Sequence, residues 1–334
     1  MTEHSTAGIA ELRMLGDIMT PMTLRVAATL RIADLLAAGE LPVDELAGKA
    51  GADAGALERL LRYLVARGIF TEPRPRVFGL SPAAALLADD HPSGSRRWLD
   101  LEGFGGRSDL ALFGLLDTVR AGHPEEKSHK PDLDESVAAS YDLVMEDQIR
   151  SRAPKIAAAR DWGTSGHIVD LGGGTGVLLT TLLRTSPGLR GTLVEFPTTA
   201  RRAGRVVEEA GVAERCDIVP GDLLQVPLPA ADTYVMKGVL HGFDDDNVVR
   251  AFERCAAAGN EGFRVAVIER VGARSDELEM FTAMDLRMLI LGEGRERTLE
   301  SYAELAAKAG LVLDEVHPPC PDRSILVFMT ETAS

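Results

Sequence analysis

Apolar positions in the first quarter of the chain recur at helical spacing. Ile9, Leu12, Leu15, Ile18 and Met19 fall on one side of a helix, and Leu24 to Ala38 reads as an amphipathic, alanine- and leucine-rich helix. A second helix begins in Leu41-Pro42-Val43-Asp44-Glu45-Leu46-Ala47. A third starts near Asp53 and carries Leu57, Leu60, Leu61, Leu64 and Val65 on one stripe until Gly68 stops it. The run from Thr71 to Leu80 then reads as a small β-wing. Three helices and a wing predict a winged-helix module within residues 1–95. The Ile9-to-Met19 stripe suits a helix exchanged between subunits and an ordinary core helix equally well.

Residues 96–155 read as linker helices, among them Tyr141 to Gln148, with a polar, proline-bounded loop from Gly122 to Pro131 marking a boundary. From 156 to 334 the pattern changes. Short, largely apolar runs recur: Gly166 to Leu171, Gly191 to Glu195, Cys216 to Pro220, Tyr234 to Lys237 and Val265 to Glu269. The gaps between the early runs accommodate crossover helices, which predicts an α/β domain with a doubly wound parallel sheet.

The first of these strands runs into Asp170-Leu171-Gly172-Gly173-Gly174-Thr175-Gly176, with glycines at alternate positions. Glycine admits positive φ and lets a ligand lie against the main chain, while Val177-Leu178-Leu179 opens a helix whose first amides face the same crevice. The dinucleotide fingerprint G-x-G-x-x-G requires a third glycine at position 177, where this chain has Val, so a nicotinamide cofactor is disfavoured. Glu195 stands nineteen residues past Gly176, which places it at the end of the neighbouring strand. A carboxylate there can accept both hydrogen bonds of a ribose diol. Asp222, followed by Leu223 and Leu224, suits an adenine amino group and the face of its ring.

The D-x-G-x-G-x-G run resembles the first motif of class I S-adenosylmethionine methyltransferases. The run Lys237-Gly238-Val239-Leu240-His241-Gly242-Phe243-Asp244-Asp245 resembles the K-x-x-L-H-D-W-x-D element of small-molecule O-methyltransferases, the family of plant caffeate-type and bacterial polyketide-tailoring enzymes. Gly242 replaces the usual Asp, and Phe243 the usual Trp, which opens the acceptor side of the pocket. Gly292 to Thr298 resembles the family's G-G-K-E-R-T loop.

The resemblance spans essentially the whole chain. It implies a Rossmann-like catalytic domain at 156–334, helices at 96–155 roofing the active site, and a winged-helix dimerisation domain at 1–95. It makes His241 the general base, flanked by Glu269 and Glu296, and leaves open which acid orients the ring. A carboxylate on one ring nitrogen would fix the tautomer and stabilise the imidazolium. Asp170, Gly172, Gly174, Glu195, Asp222, Leu223 and Lys237 are implied at the cofactor, and Met145, Met284 and Met288 at a flat aromatic acceptor. The implied protein is a homodimer that uses S-adenosylmethionine.

Composition narrows the alternatives. The chain has 334 residues, 45% of them hydrophobic, and a formal net charge of −15, which opposes attraction to nucleic acid or anionic lipid. A winged-helix regulator is the rival from another class, yet residues 41–90 carry seven acids against six bases, where a DNA reader should be basic. Cys216, Cys255 and Cys320 lack C-x-x-C spacing, and the seven histidines form no metal motif, so neither a disulfide framework nor a metal is expected. No apolar run approaches bilayer length, and the N-terminus has no basic n-region, which predicts a cytoplasmic protein without a membrane partner. A rival within the fold is a relative that keeps the cofactor but hydroxylates or decarboxylates.

Overall fold

The computed structural model describes residues 3–125, 134–272, 278–320 and 322–331. They form two compact units, Met1–Arg107 and Ser108–Ser334. In the first unit, the helix expected over 24–38 is divided into Met19–Thr29 and Ile32–Leu35. Arg31 breaks it by adopting a left-handed φ of 55°, a conformation uncommon for a residue with a Cβ. Its guanidinium pairs with Asp34 and Asp89, which offsets part of that strain.

Leu41–Pro42 (β1) leads into the helix Val43–Ala50, and Ala54–Ala66 follows, capped by the Asp53 carboxylate on the Ala56 amide at 2.8 Å. Phe70–Arg74 (β2) and Val77–Leu80 (β3) form the wing, in a three-stranded sheet of order β1-β3-β2. The module therefore pairs helices with a small sheet, the helices-and-wing arrangement that the sequence predicts. Leu57, Leu61 and Leu64 bury the predicted stripe against Ile32, Val43, Leu46 and Phe78. Ile9, Leu12, Leu15, Ile18 and Met19 are instead exposed, from 41% to 74%.

The expected boundary at 95 falls short of the observed division at 107. Gly105 and Gly106 approach the backbone of Trp98 and Asp100 so closely that no Cβ fits there, and Leu99 packs on the first core. The predicted loop over 122–131 is described only to residue 125, and its remainder lies outside the described residues.

The second unit is built on seven strands: His167–Leu171 (β4), Arg190–Glu195 (β5), Cys216–Pro220 (β6), Thr233–Lys237 (β7), Arg264–Glu269 (β8), Leu311–Cys320 (β9) and Arg323–Thr330 (β10). Their order is β6-β5-β4-β7-β8-β10-β9, parallel except that β10 runs antiparallel to both neighbours. The chain winds outward from β4 through β5 to β6, then returns to the other side of β4 with β7. Strand order thus reverses between β4 and β7, where a doubly wound sheet opens a crevice beyond its carboxyl ends. Strand side chains alternate between two cores. Ile168, Leu193, Val235 and Ile268 pack under the helix Val177–Thr185, while Val169, Val194, Met236 and Val267 face Phe252 of the helix Asp245–Ala258.

Candidate active site

Three glycines shape the turn after β4. Gly172, Gly174 and Gly176 have φ of 68°, 62° and 83°, and Gly176 precedes the helix Val177–Thr185. At Gly172 a Cβ would also stand 2.9 Å from Val239 Cγ2 and 3.6 Å from Leu223 Cδ2, so both conformation and space require glycine there. The turn lines a partly open cleft with Met145, Glu146, Asp170, Glu195 and Lys237.

Each Glu195 oxygen already holds one backbone amide: Oε2 accepts from Gly174 at 2.9 Å and Oε1 from Phe196 at 2.8 Å. The carboxylate is thereby locked in place at the cleft. Asp170 is 1% exposed, and neither of its oxygens has a partner. Burial, reinforced by the Glu195 charge, pushes its carboxyl up to about 7. Lys237 moves the other way: burial, then the Arg323 charge, lowers its ammonium to about 8. Arg270 Nε and Arg323 Nε and Nη1, in the same cationic group, are buried without acceptors. Asp170 and Lys237 thus place an acid and an ammonium along one cleft, which suits a zwitterionic ligand with an added positive charge.

The helix Glu135–Arg150 contributes Met145 and Glu146 to the lining and is tied down at two points. Asp142 accepts from Thr199 Oγ1 at 3.0 Å and from Arg202 Nη1 at 2.7 Å, while Glu146 Oε2 accepts from Thr175 Oγ1 at 3.0 Å.

His241 occupies a short 3₁₀ turn, Leu240–Gly242, after β7. Its Nδ1 lies 2.7 Å from Glu296 Oε1, and the Glu296 side chain is fully buried. Glu269 does something different. Its Oε1 accepts from the backbone amides of Val239, Leu240 and His241 at 2.9, 3.0 and 3.4 Å, so it fixes the main chain of the turn while Glu296 meets the ring. The two acids left undistinguished by sequence therefore have separate geometric places.

The strip 294–297 is moulded onto that turn. Gly294 abuts the His241 carbonyl and the Gly242 backbone, where a Cβ would collide, and the Glu296 amide donates to Asp285 Oδ1 at 2.9 Å. Gly242 itself has open space beside it, as replacement of a larger residue would leave.

Of the residues expected from sequence, the cleft brings together Met145, Asp170, Gly172, Gly174, Glu195 and Lys237. Leu223 borders Gly172 from outside that lining. Asp222 is not among the lining residues: its oxygens accept from the Leu224 amide and the Gln225 side chain, closing a turn of their own. Met284 and Met288 are half-buried on the helix Leu278–Leu291, outside the cleft, on the same helix as Asp285. Sequence reading missed Asp142, Asp285 and Arg297. Only Arg297 left a signal, as the arginine after Glu296 in the resembling loop. Among the described residues, no group of three or more His, Cys, Asp or Glu is placed to hold a metal, and no helix is long and apolar enough to cross a membrane.

Two family matches coincide with this architecture: an O-methyltransferase domain over residues 125–312 and an O-methyltransferase dimerisation domain over residues 12–90. The chain belongs to the O-methyltransferase family and is an S-adenosylmethionine-dependent methyltransferase. It is 43% identical to 2,7-dihydroxy-5-methyl-1-naphthoate 7-O-methyltransferase of Streptomyces carzinostaticus, over 92% of this chain and 94% of that one. It is 39% identical to aclacinomycin 10-hydroxylase RdmB of Streptomyces purpurascens, over 90% and 84%. Among solved structures, NcsB1 from neocarzinostatin biosynthesis, in complex with S-adenosylmethionine and 2-hydroxy-5-methyl naphthoic acid, matches with a TM-score of 0.88 and 41% identity, covering 96% and 98% of the two chains.

Proposed function

We propose that this enzyme methylates a phenolic or enolic hydroxyl of an aromatic, polyketide-type acceptor, with His241 as general base. The observation that carries this reading is the His241–Glu296 contact of 2.7 Å, which leaves Nε2 as the ring nitrogen for an acceptor. S-adenosylmethionine supplies the methyl group on a sulfonium leaving group. A phenol of pKa about 10 is largely un-ionised at neutral pH, so the protein has to take its proton as the new C–O bond forms. Nε2 receives that proton, and Glu296 stabilises the resulting imidazolium through Nδ1–H. Similarity to a naphthoate methyltransferase and to a naphthoic acid complex supports a fused-ring hydroxy acid as the acceptor class.

For the cofactor, Glu195 is assigned to the ribose diol and Lys237, with Arg270 and Arg323 behind it, to the amino-acid carboxylate. Asp170 is assigned to the positive charge. Asp222 and Leu223 are assigned to adenine, Leu223 bordering the glycine turn beside Gly172. Met145 is assigned to the acceptor from the roof helix, and Met284 and Met288 to the opposite wall. The exposed stripe Ile9, Leu12, Leu15, Ile18 and Met19, overlapping a dimerisation domain, supports a homodimer in which a second copy covers these side chains.

The titrations give a prediction with opposed signs. A cationic ligand favours ionised Asp170, so affinity rises as pH climbs through about 7. A ligand carboxylate favours protonated Lys237, so affinity falls as pH passes about 8. Calorimetric titration with S-adenosylmethionine is expected to show tightest binding between those values. A flat profile would remove both assignments.

A second reading follows from the 39% identity to a hydroxylase: cofactor retained, chemistry changed. Incubation with methyl-deuterated S-adenosylmethionine and a panel including 1,4-dihydroxy-2-naphthoic acid separates the two. A labelled methyl ether in the mass spectrum supports methyl transfer. An acceptor that gains oxygen, or loses its carboxyl, supports the second reading instead.

A further inference from the structure

Arg297 is 2% exposed, and its guanidinium makes bonds in two directions. Nη1 donates to the Leu240 carbonyl at 3.0 Å and Nη2 to the Phe243 carbonyl at 2.7 Å, the two residues that bracket His241-Gly242. Nε and Nη2 donate to Asp245 Oδ1 at 3.0 and 2.7 Å, and Nη1 also reaches the Arg295 carbonyl at 3.4 Å. These bonds hold the Asp245 carboxyl below its ordinary range. Asp245 opens the next helix, whose N-cap, Asp244, accepts from the Asn247 amide at 2.8 Å. One side chain therefore spans the base-bearing turn from its first carbonyl to the start of the following helix. Only a planar fork of several fixed donors does this; a lysine offers one point charge.

The neighbouring residue makes the arrangement consequential. Glu296 reaches the His241 ring from the same strip, which rests on the turn at Gly294 and is fixed from the other side by Asp285. Ring and carboxylate thus arrive on separate segments, and their contact exists only while the two segments stay in register. We propose that Arg297 is a positioning residue for the base, clamping the Leu240–Phe243 turn to the 294–297 strip so that His241 and Glu296 meet. The inference rests on the reading of His241 as base, and it extends the machinery to a side chain outside the cleft lining.

A purely structural arginine would lower the amount of folded enzyme and leave the remaining molecules unchanged. A positioning arginine changes kcat of folded enzyme, and only while His241 is present. The test compares Arg297→Ala and Arg297→Lys in the wild-type and His241→Ala backgrounds, with 1,4-dihydroxy-2-naphthoic acid and S-adenosylmethionine. Arg297→Ala is expected to lower kcat by about tenfold or more, with S-adenosylmethionine affinity within about twofold of wild type. In the His241→Ala background the same change should add less than about twofold, because the group being positioned is already gone. Added guanidinium ion should restore part of the Arg297→Ala rate, and Arg297→Lys should remain folded yet impaired.

A folded Arg297→Ala or Arg297→Lys enzyme with wild-type kcat overturns the proposal, as does an equal fold-loss in both backgrounds. If Arg297→Ala does not fold, Arg297→Lys carries the same comparison. His241→Ala with full activity would remove the base reading itself, whereas a His241-dependent enzyme indifferent to Arg297 removes only this inference.

Discussion

His241→Ala is expected to lower kcat by about 10²-fold or more while leaving S-adenosylmethionine affinity near wild type. The reasoning is positional. His241 sits after β7 with its ring turned to Glu296, and it is not among the residues lining the cofactor cleft. If His241 is the base, its loss removes proton abstraction and leaves the glycine turn, Glu195 and Lys237 as they are. His241→Gln should behave alike, since an amide cannot take up the proton. Glu296→Gln should give a smaller loss, because the ring keeps a hydrogen-bond partner but the imidazolium loses its counter-charge. Steady-state kinetics paired with calorimetry check all three variants, and a fall in cofactor affinity that matches the fall in kcat would place His241 at the cofactor instead.

Glu195→Ala is expected to do the reverse, raising the dissociation constant for S-adenosylmethionine by tenfold or more in a folded protein. Two hydrogen bonds from a ribose diol to a carboxylate contribute roughly 1.5–3 kcal/mol each, and about 1.4 kcal/mol corresponds to a factor of ten. The variant also frees the Gly174 and Phe196 amides, which loosens the turn and adds to the loss. Glu195→Gln separates these effects, since its side-chain oxygen can still hold one amide. Removing the Glu195 charge should also let the Asp170 carboxyl fall from about 7, moving the acidic limb of the affinity profile to lower pH. Unchanged affinity in a folded Glu195→Ala protein would take this residue out of the site.

The strand ends were legible because each apolar run terminates in a group that an interior strand would exclude: Asp170, Glu195, Lys237 and Glu269. The glycine turn was legible because glycines alternating between a strand and a helix mark a main chain that turns through positive φ and is closely approached. Other features were hidden for physical reasons. The division of labour between Glu269 and Glu296 depends on whether a carboxylate faces a ring or a row of amides, and spacing carries no such direction. At Asp222 the bonds to the Leu224 amide and the Gln225 side chain order the turn that carries the carboxylate, a local arrangement that spacing does not reveal. The helix break at Arg31 has no glycine or proline to announce it.

The final strands, β9 and β10, went unread beyond Glu269. Leu311 to Cys320 mixes apolar residues with Asp314, Glu315, His317 and two prolines, as an edge strand tolerates. Arg297 was invisible as a clamp because all but one of its partners, the Leu240 and Phe243 carbonyls and the Asp245 carboxylate, lie more than fifty residues away.

The dependence of the His241→Ala deficit on acceptor acidity tests the central claim most directly. The rate ratio of wild type to His241→Ala would be measured at one pH across hydroxylated aromatic acceptors of similar shape, graded in hydroxyl pKa. If His241 removes the acceptor proton, the ratio is about 10² or more for phenols of pKa near 10 and shrinks toward unity for acceptors already ionised at the assay pH. A ratio that stays constant across the series, or that stays at one throughout, would contradict His241 as the base.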